Sequence, residues 1–168
     1  AGDRVVEVAV VRANGADDPE PQTYTQLVNP GISMPSRAQG IHGISDSMLK
    51  ESPAFAGTMP MVETMLNGAI FVAHNARFDL AFLARECARA GLEVPRYGPV
   101  IDTLALARSV FGFPQCGLGA LAKRMQQPLL THHRALADAS ATLGIYRNML
   151  LSIDPNKAMT VRDLIDLM

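Results

Sequence analysis

The run AIFVA, residues 69–73, is apolar throughout, has the length of a strand, and passes at once into the helical periodicity of HNARFDLAFLARECARAG. A strand with no polar face is buried on both sides of its sheet, which requires helices above and below it. PVI at 99–101 repeats the arrangement and runs into DTLALARSVF. Strand followed by helix, twice, implies parallel strands joined by crossovers. Upstream, RVVEVAVVR (4–12) and QTYTQLV (22–28) are rich in β-branched and aromatic residues, flank the turn-forming ANGADDPEP, and read as an antiparallel hairpin. The pattern predicts an α/β fold, a mixed sheet with helices packed on its faces. Function in such sheets tends to lie beyond the carboxyl ends of the parallel strands, and His74 and Asp79 lie just past one of them.

The segment NPGISMPSRAQGIHGIS is punctuated by Pro and Gly and reads as loop, with Ser45 the cap of a short helix DSMLKE. A helix over PMVETML should stop at Asn67-Gly68. Asn75 is the expected cap of the next helix, whose Ala76, Leu80, Leu83, Cys87 and Ala90 recur at helical spacing before Gly91, and Asp102 is the expected cap of the one after. Further helices are expected at about 117–125 and 134–151, with a short one in TVRDLIDLM. A chain of 168 residues suits a single domain, 1–168, around a single core. No run approaches the roughly 20 apolar residues of a membrane span, and AGDRVVEV has no export signal, so a cytoplasmic protein is expected. Cys87 and Cys116 lack the paired spacing of a zinc site or disulfide framework. A net charge of -1 argues against gripping nucleic acid chiefly through a basic surface, and is compatible with meeting phosphates through metal ions.

Asp79 falls on the shoulder of the apolar stripe of its helix, half turned toward the interior. Asp138 repeats this, sharing a side with Ala135, Thr142, Ile145 and Met149. Taken alone, such an acid is better explained as a carboxylate meeting the positive end of a helix dipole. His133 precedes Asp138 by five residues, about 140° around an ideal helix, so the pair does not chelate one ion as helical neighbours. A histidine on the preceding loop suits proton transfer, and equally a solvated loop. His42, between Gly40 and Gly43 in a flexible loop, admits structural and functional readings alike. GLGALA fits a dinucleotide fingerprint by letter, but FGFPQC before it is no strand, so an oxidoreductase reading is set aside unless a strand precedes Gly117.

The joint order AHNARFD, IDTLALAR, LGALAKR, HHRALADA resembles the DEDDh family of 3'-to-5' exonucleases, the group that includes the proofreading epsilon subunit of bacterial replicative polymerase. The resemblance runs nearly end to end, from GDRVVEVAVV and IHGIS to the last long helix. It implies a ribonuclease H-like fold and four carboxylates holding two Mg2+ or Mn2+ ions. On that resemblance Asp79 is the third acid, Asp138 the fourth, and His133 the base that takes a proton from the attacking water. His42, Gly43 and Ile44 match a loop near the terminal nucleotide, and Asn75 and Phe78 border the site. The implied reaction is metal-dependent release of nucleoside 5'-monophosphates from a 3' end of DNA or RNA, in proofreading or repair. The implied partners are a single-stranded 3' end and a DNA polymerase or fused nuclease module. Hard oxygen ligands suit such ions, and a pair of them roughly 3.5 to 4 Å apart activates water and steadies the leaving oxygen.

One departure stands out. The family's first two acids form an Asp-x-Glu pair on a central strand that precedes the one matching RVVEVAVV, and no such strand is present. Asp3 and Glu7 have the wrong spacing, and Glu7 falls where the family often has a non-catalytic glutamate. The expectation is an N-terminally truncated exonuclease domain, its sheet left as two half-sheets, with D-x-E-T-T-G or a close relative roughly a dozen residues upstream. The competing expectation is a catalytically inactive ribonuclease H-like module that binds nucleic acid or a partner.

Overall fold

The computed structural model describes residues 3–129 and 134–168. The hairpin forms as β1, Glu7–Arg12, and β2, Gln22–Leu27, paired antiparallel from Glu7 opposite Leu27 to Arg12 opposite Gln22. Three helices follow: α1, Ser36–His42; α2, Asp46–Leu49; and α3, Phe55–Leu66. Then come β3, Phe71–Ala73, α4, Ala76–Ala90, β4, Val100–Asp102, and α5, Thr103–Ser109. The chain ends with α6, Leu118–Arg124, α7, Ala135–Ile153, and α8, Val161–Asp166. β3 and β4 are parallel, with Ala73 opposite Asp102. Among the described residues the strands form two separate two-stranded sheets, the division into half-sheets that the sequence leads one to expect.

Two expectations are corrected. The segment read as loop contains α1: Pro35 holds its φ at -58 just before the helix and Gly43, at φ 71, ends it, so both residues mark boundaries of a helix rather than its absence. α3 starts at Phe55, five residues before PMVETML, and carries Pro60 inside it. Burial of Phe55, Met59, Val62 and Leu66 on one face outweighs the hydrogen bond that proline removes. Ser45 does cap α2, accepting the Met48 N–H, and Thr160 caps α8 in a reciprocal box with Asp163. Among the described residues no strand runs into Gly117, since α5 and an irregular segment lie directly before it, which leaves the dinucleotide reading without support.

Among the described residues the buried side chains form two clusters rather than the single core expected, because each half-sheet buries its own face. Val28, Phe55, Met59, Val62, Leu66 and Cys87 gather beneath the hairpin with Val8 and Val10. Ile101, Leu106, Leu121, Ile145, Met149 and Leu164 gather beside the parallel pair. α7 packs against both, touching β1, β2 and β3 as well as α5 and α6. It joins the halves. Cys87 and Cys116 are buried free thiols, and among the described residues no helix is long and apolar enough to cross a membrane.

Glu86 of α4 is 1% exposed and ties the segment before β1 to that helix. Its carboxylate accepts from Arg4 Nε and an Arg4 terminal nitrogen at 2.8 and 3.0 Å, from the Val5 N–H at 3.4 Å, and from Arg89 at 2.7 Å. Burial raises this carboxyl, but the bonds from Arg4 and Val5 and the charges of Arg4 and Arg89 outweigh it and hold it below the ordinary range. A depressed folded value means stability that is present above the unfolded value, about 4.3, and lost as pH falls through the folded one. Urea melts of Glu86→Gln should therefore sit about 2 kcal/mol below the parent at pH 7, the gap closing as pH drops below about 4. Superimposable melts at pH 7 would show that the tether carries no stability.

Candidate active site

The parallel register sets Ala73 beside Asp102, and the chain turns into α4 through His74 and Asn75. Asn75 takes the left-handed conformation, φ 69 and ψ 54, which asparagine tolerates better than most side chains. Its side chain makes no capping bond, contrary to expectation. Asp102 does that work from the neighbouring strand: Oδ1 accepts the Asn75 N–H and Oδ2 the Ala76 N–H, both at 3.0 Å. Oδ1 also accepts the Leu104 N–H at 2.9 Å and the Ala105 N–H at 3.4 Å. One carboxylate caps two helices. His74 is bound into the same frame, with Nδ1 3.0 Å from Thr103 Oγ1, and burial pulls it below its ordinary value against the charge of Asp102.

Asp79 lies in the first turn of α4 thus fixed. Its pKa is pushed up to about 6, first by burial of the carboxyl and then by the negative charges of Asp102 and Asp138. The residue itself is solvent-exposed, so this is a carboxyl hemmed in on one side rather than sealed from water. Asp138 is half-buried in the first turn of α7, its N–H donating to the Arg134 carbonyl at 3.0 Å and its carbonyl accepting from Thr142 Oγ1 at 2.8 Å. Helices some 60 residues apart in sequence thus bring their acids within electrostatic range of each other. Two partly desolvated carboxylates resist being ionised together, and a hard cation relieves that strain. The donor chemistry fits a divalent ion. Among the described residues no cluster of three or more His, Cys, Asp or Glu side chains is placed to hold one.

The other expected site residues are placed unevenly. Phe78, one residue before Asp79, is 58% exposed and packs at 4.7 Å against Phe82. His42 ends α1, with Nδ1 accepting the Ile44 N–H at 3.0 Å across Gly43. Ile44 is buried as a whole residue, and its N–H is already taken up by His42. His42 acts electrostatically on Glu7, which in turn holds Arg134, so the 42–44 loop and the start of α7 meet at β1. His133 lies outside the described residues. Sequence reasoning missed the grip of Glu7 on α7, although an acid in the apolar run RVVEVAVV was a visible signal.

The RNase T family model, described as an exonuclease, matches residues 1–146. A DNA polymerase III subunit epsilon-like protein of Rhodobacter capsulatus is 35% identical over 152 residues, covering 89% of this chain and 21% of that protein. The 3'-5' exonuclease DinG of Bacillus subtilis is 34% identical over 150 residues, covering 89% and 16%. The chain thus spans about a fifth or less of these relatives' length. Among solved structures, exonuclease X in complex with 5' overhanging duplex DNA superposes with a TM-score of 0.70 at 25% identity, covering 96% of this chain and 89% of that one. The architecture is the ribonuclease H-like fold of such exonucleases.

Proposed function

The chain belongs to the RNase T exonuclease family, and on that premise we propose that it is the nuclease domain of a metal-dependent 3'-to-5' exonuclease. In this reading it releases nucleoside 5'-monophosphates from a single-stranded 3' end, in proofreading or repair. The observation that carries the reading is the convergence of Asp79 and Asp138, with Asp79 raised to about 6 partly by the other's charge. A partly desolvated Asp79 carboxyl, raised toward neutral pH beside the charges of Asp102 and Asp138, is the kind of group that a bound cation would favour in its ionised form.

Asp79 and Asp138 would hold Mg2+ or Mn2+ together with ligands beyond this pair. Bound there, such ions supply Lewis acidity at the phosphate and an activated water. His133 accepts the proton of the attacking water, on the residue pattern of the family. The exposed Phe78 ring offers the terminal base a stacking face next to the acids, and the His42–Ile44 loop with Asn75 flanks the terminal nucleotide. The names of the relatives support DNA as substrate and a replicative polymerase as partner, and a cytoplasmic site of action goes with that.

The protein is expressed as residues 1–168 and with whatever its gene encodes before Ala1, then given a 5'-labelled single-stranded oligonucleotide. Expected are a ladder shortened from the 3' end, mononucleotide 5'-phosphates, dependence on Mg2+ or Mn2+, and silence in EDTA. Internal cuts, or no product from either well-folded form, would sink the proposal and favour a binding module.

A further inference from the structure

We propose that Glu7 is a positioning residue for the active site: from β1 it caps α7 in trans and so sets where Asp138 stands. This rests on the reading of Asp138 as a metal ligand. α7 begins badly by its own means. Arg134, at its N-cap position, offers no capping side-chain bond and puts a positive charge at the positive end of the helix dipole. Glu7, 127 residues earlier, corrects both faults. Its Oε2 accepts the Ala135 N–H at 2.8 Å, an orphan donor of the first turn. Its Oε1 accepts from an Arg134 terminal nitrogen at 2.8 Å, and Arg134 Nε lies 3.2 Å from both oxygens.

The grip is built to be rigid. The Glu7 side chain is 7% exposed, and along a strand it points away from Val8 and Val10, which are packed in the hairpin's core cluster. Burial raises the Glu7 carboxyl, but the bonds from Arg134 and Ala135 and the charges of Arg134 and His42 prevail and keep it ionised. What Glu7 fixes passes directly to the acid. The Asp138 N–H donates to the Arg134 carbonyl at 3.0 Å, so Asp138 is registered on the residue that Glu7 holds. The 42–44 loop, within electrostatic reach of the same carboxylate through His42, is referred to the same point.

The test compares Glu7→Ala and Glu7→Gln with the parent, in the form of the protein that is active, by amide hydrogen exchange and by steady-state kinetics on the oligonucleotide. In Glu7→Ala, exchange at 135–138 should rise about tenfold or more while the β1–β2 amides stay near parental rates. kcat should fall roughly ten- to a hundredfold, as expected when a group that orients a ligand is removed, with KM nearly unchanged. Glu7→Gln keeps an oxygen for the Ala135 N–H and should recover much of the protection and part of kcat. Parental exchange at 135–138 in Glu7→Ala overturns the proposal, as does a loss spread evenly over the whole chain that Glu7→Gln does not repair. Because exchange is read without substrate, an inactive parent would sink the exonuclease reading, and the exchange result would still decide what Glu7 does.

Discussion

Replacing Asp138 by alanine is expected to cut exonuclease activity by about a thousandfold or more, some 4 kcal/mol of barrier, while leaving the fold as stable as before to within about 1 kcal/mol. The two halves of that expectation have separate causes. In the exonuclease reading the Asp138 carboxylate holds the cation, and no neighbour on α7 replaces it: Ala135, Thr142 and Ile145 share its side of the helix and none is acidic. For stability, the change removes a first-turn acid that suits the helix dipole, but it also removes a charge that presses on Asp79. The two effects oppose each other. Asp138→Asn, which keeps the shape, should behave like alanine in activity. Oligonucleotide shortening and urea melts on the same preparations check both halves. Substantial activity in either variant would take Asp138 out of the chemistry and leave it a dipole acid.

That last alternative is why so much of the site was only half legible in sequence. Asp79 and Asp138 each stand at the margin of an apolar face near a helix start, where a dipole acid also stands, and what the structure adds is that the charge of Asp138 reaches Asp79. Elements whose signals are local match expectation: the hairpin, the Ser45 and Asp102 caps, the short helix in TVRDLIDLM and the strand in AIFVA. Where local rules competed, reading failed. Pro35 and Gly43 look like breakers until one sees that they bracket α1, and Pro60 looks like a helix start until the buried face of α3 runs past it. The capping role expected of Asn75 falls to Asp102, 27 residues away at the end of β4. Glu7 and Arg134 are 127 residues apart. No window of sequence contains such pairs, because they are consequences of strand register and of where α7 lies across both half-sheets.

Asp102→Ala is expected to be the costliest polar substitution for stability, at about 3 kcal/mol. Each helix cap is worth roughly 1 kcal/mol, a charged acceptor strengthens such bonds about twofold, and this carboxylate serves the starts of both α4 and α5. For a domain of this size the thermal midpoint should drop by about 6 to 12 °C. Asp102→Asn sharpens the meaning. Both oxygens are in use, Oδ1 for Asn75, Leu104 and Ala105 and Oδ2 for Ala76, so an amide must turn its NH2 toward one of these donors. It should lose about half as much stability as alanine, roughly 1.5 kcal/mol. Because Asp79 is one turn into α4, activity should fall with the loosened helix start, yet by less than about tenfold in the asparagine variant, since no ligand is removed. The opposite pattern, parental stability with activity lost in Asp102→Asn, would assign this carboxylate to the chemistry rather than to the scaffold that aims Asp79.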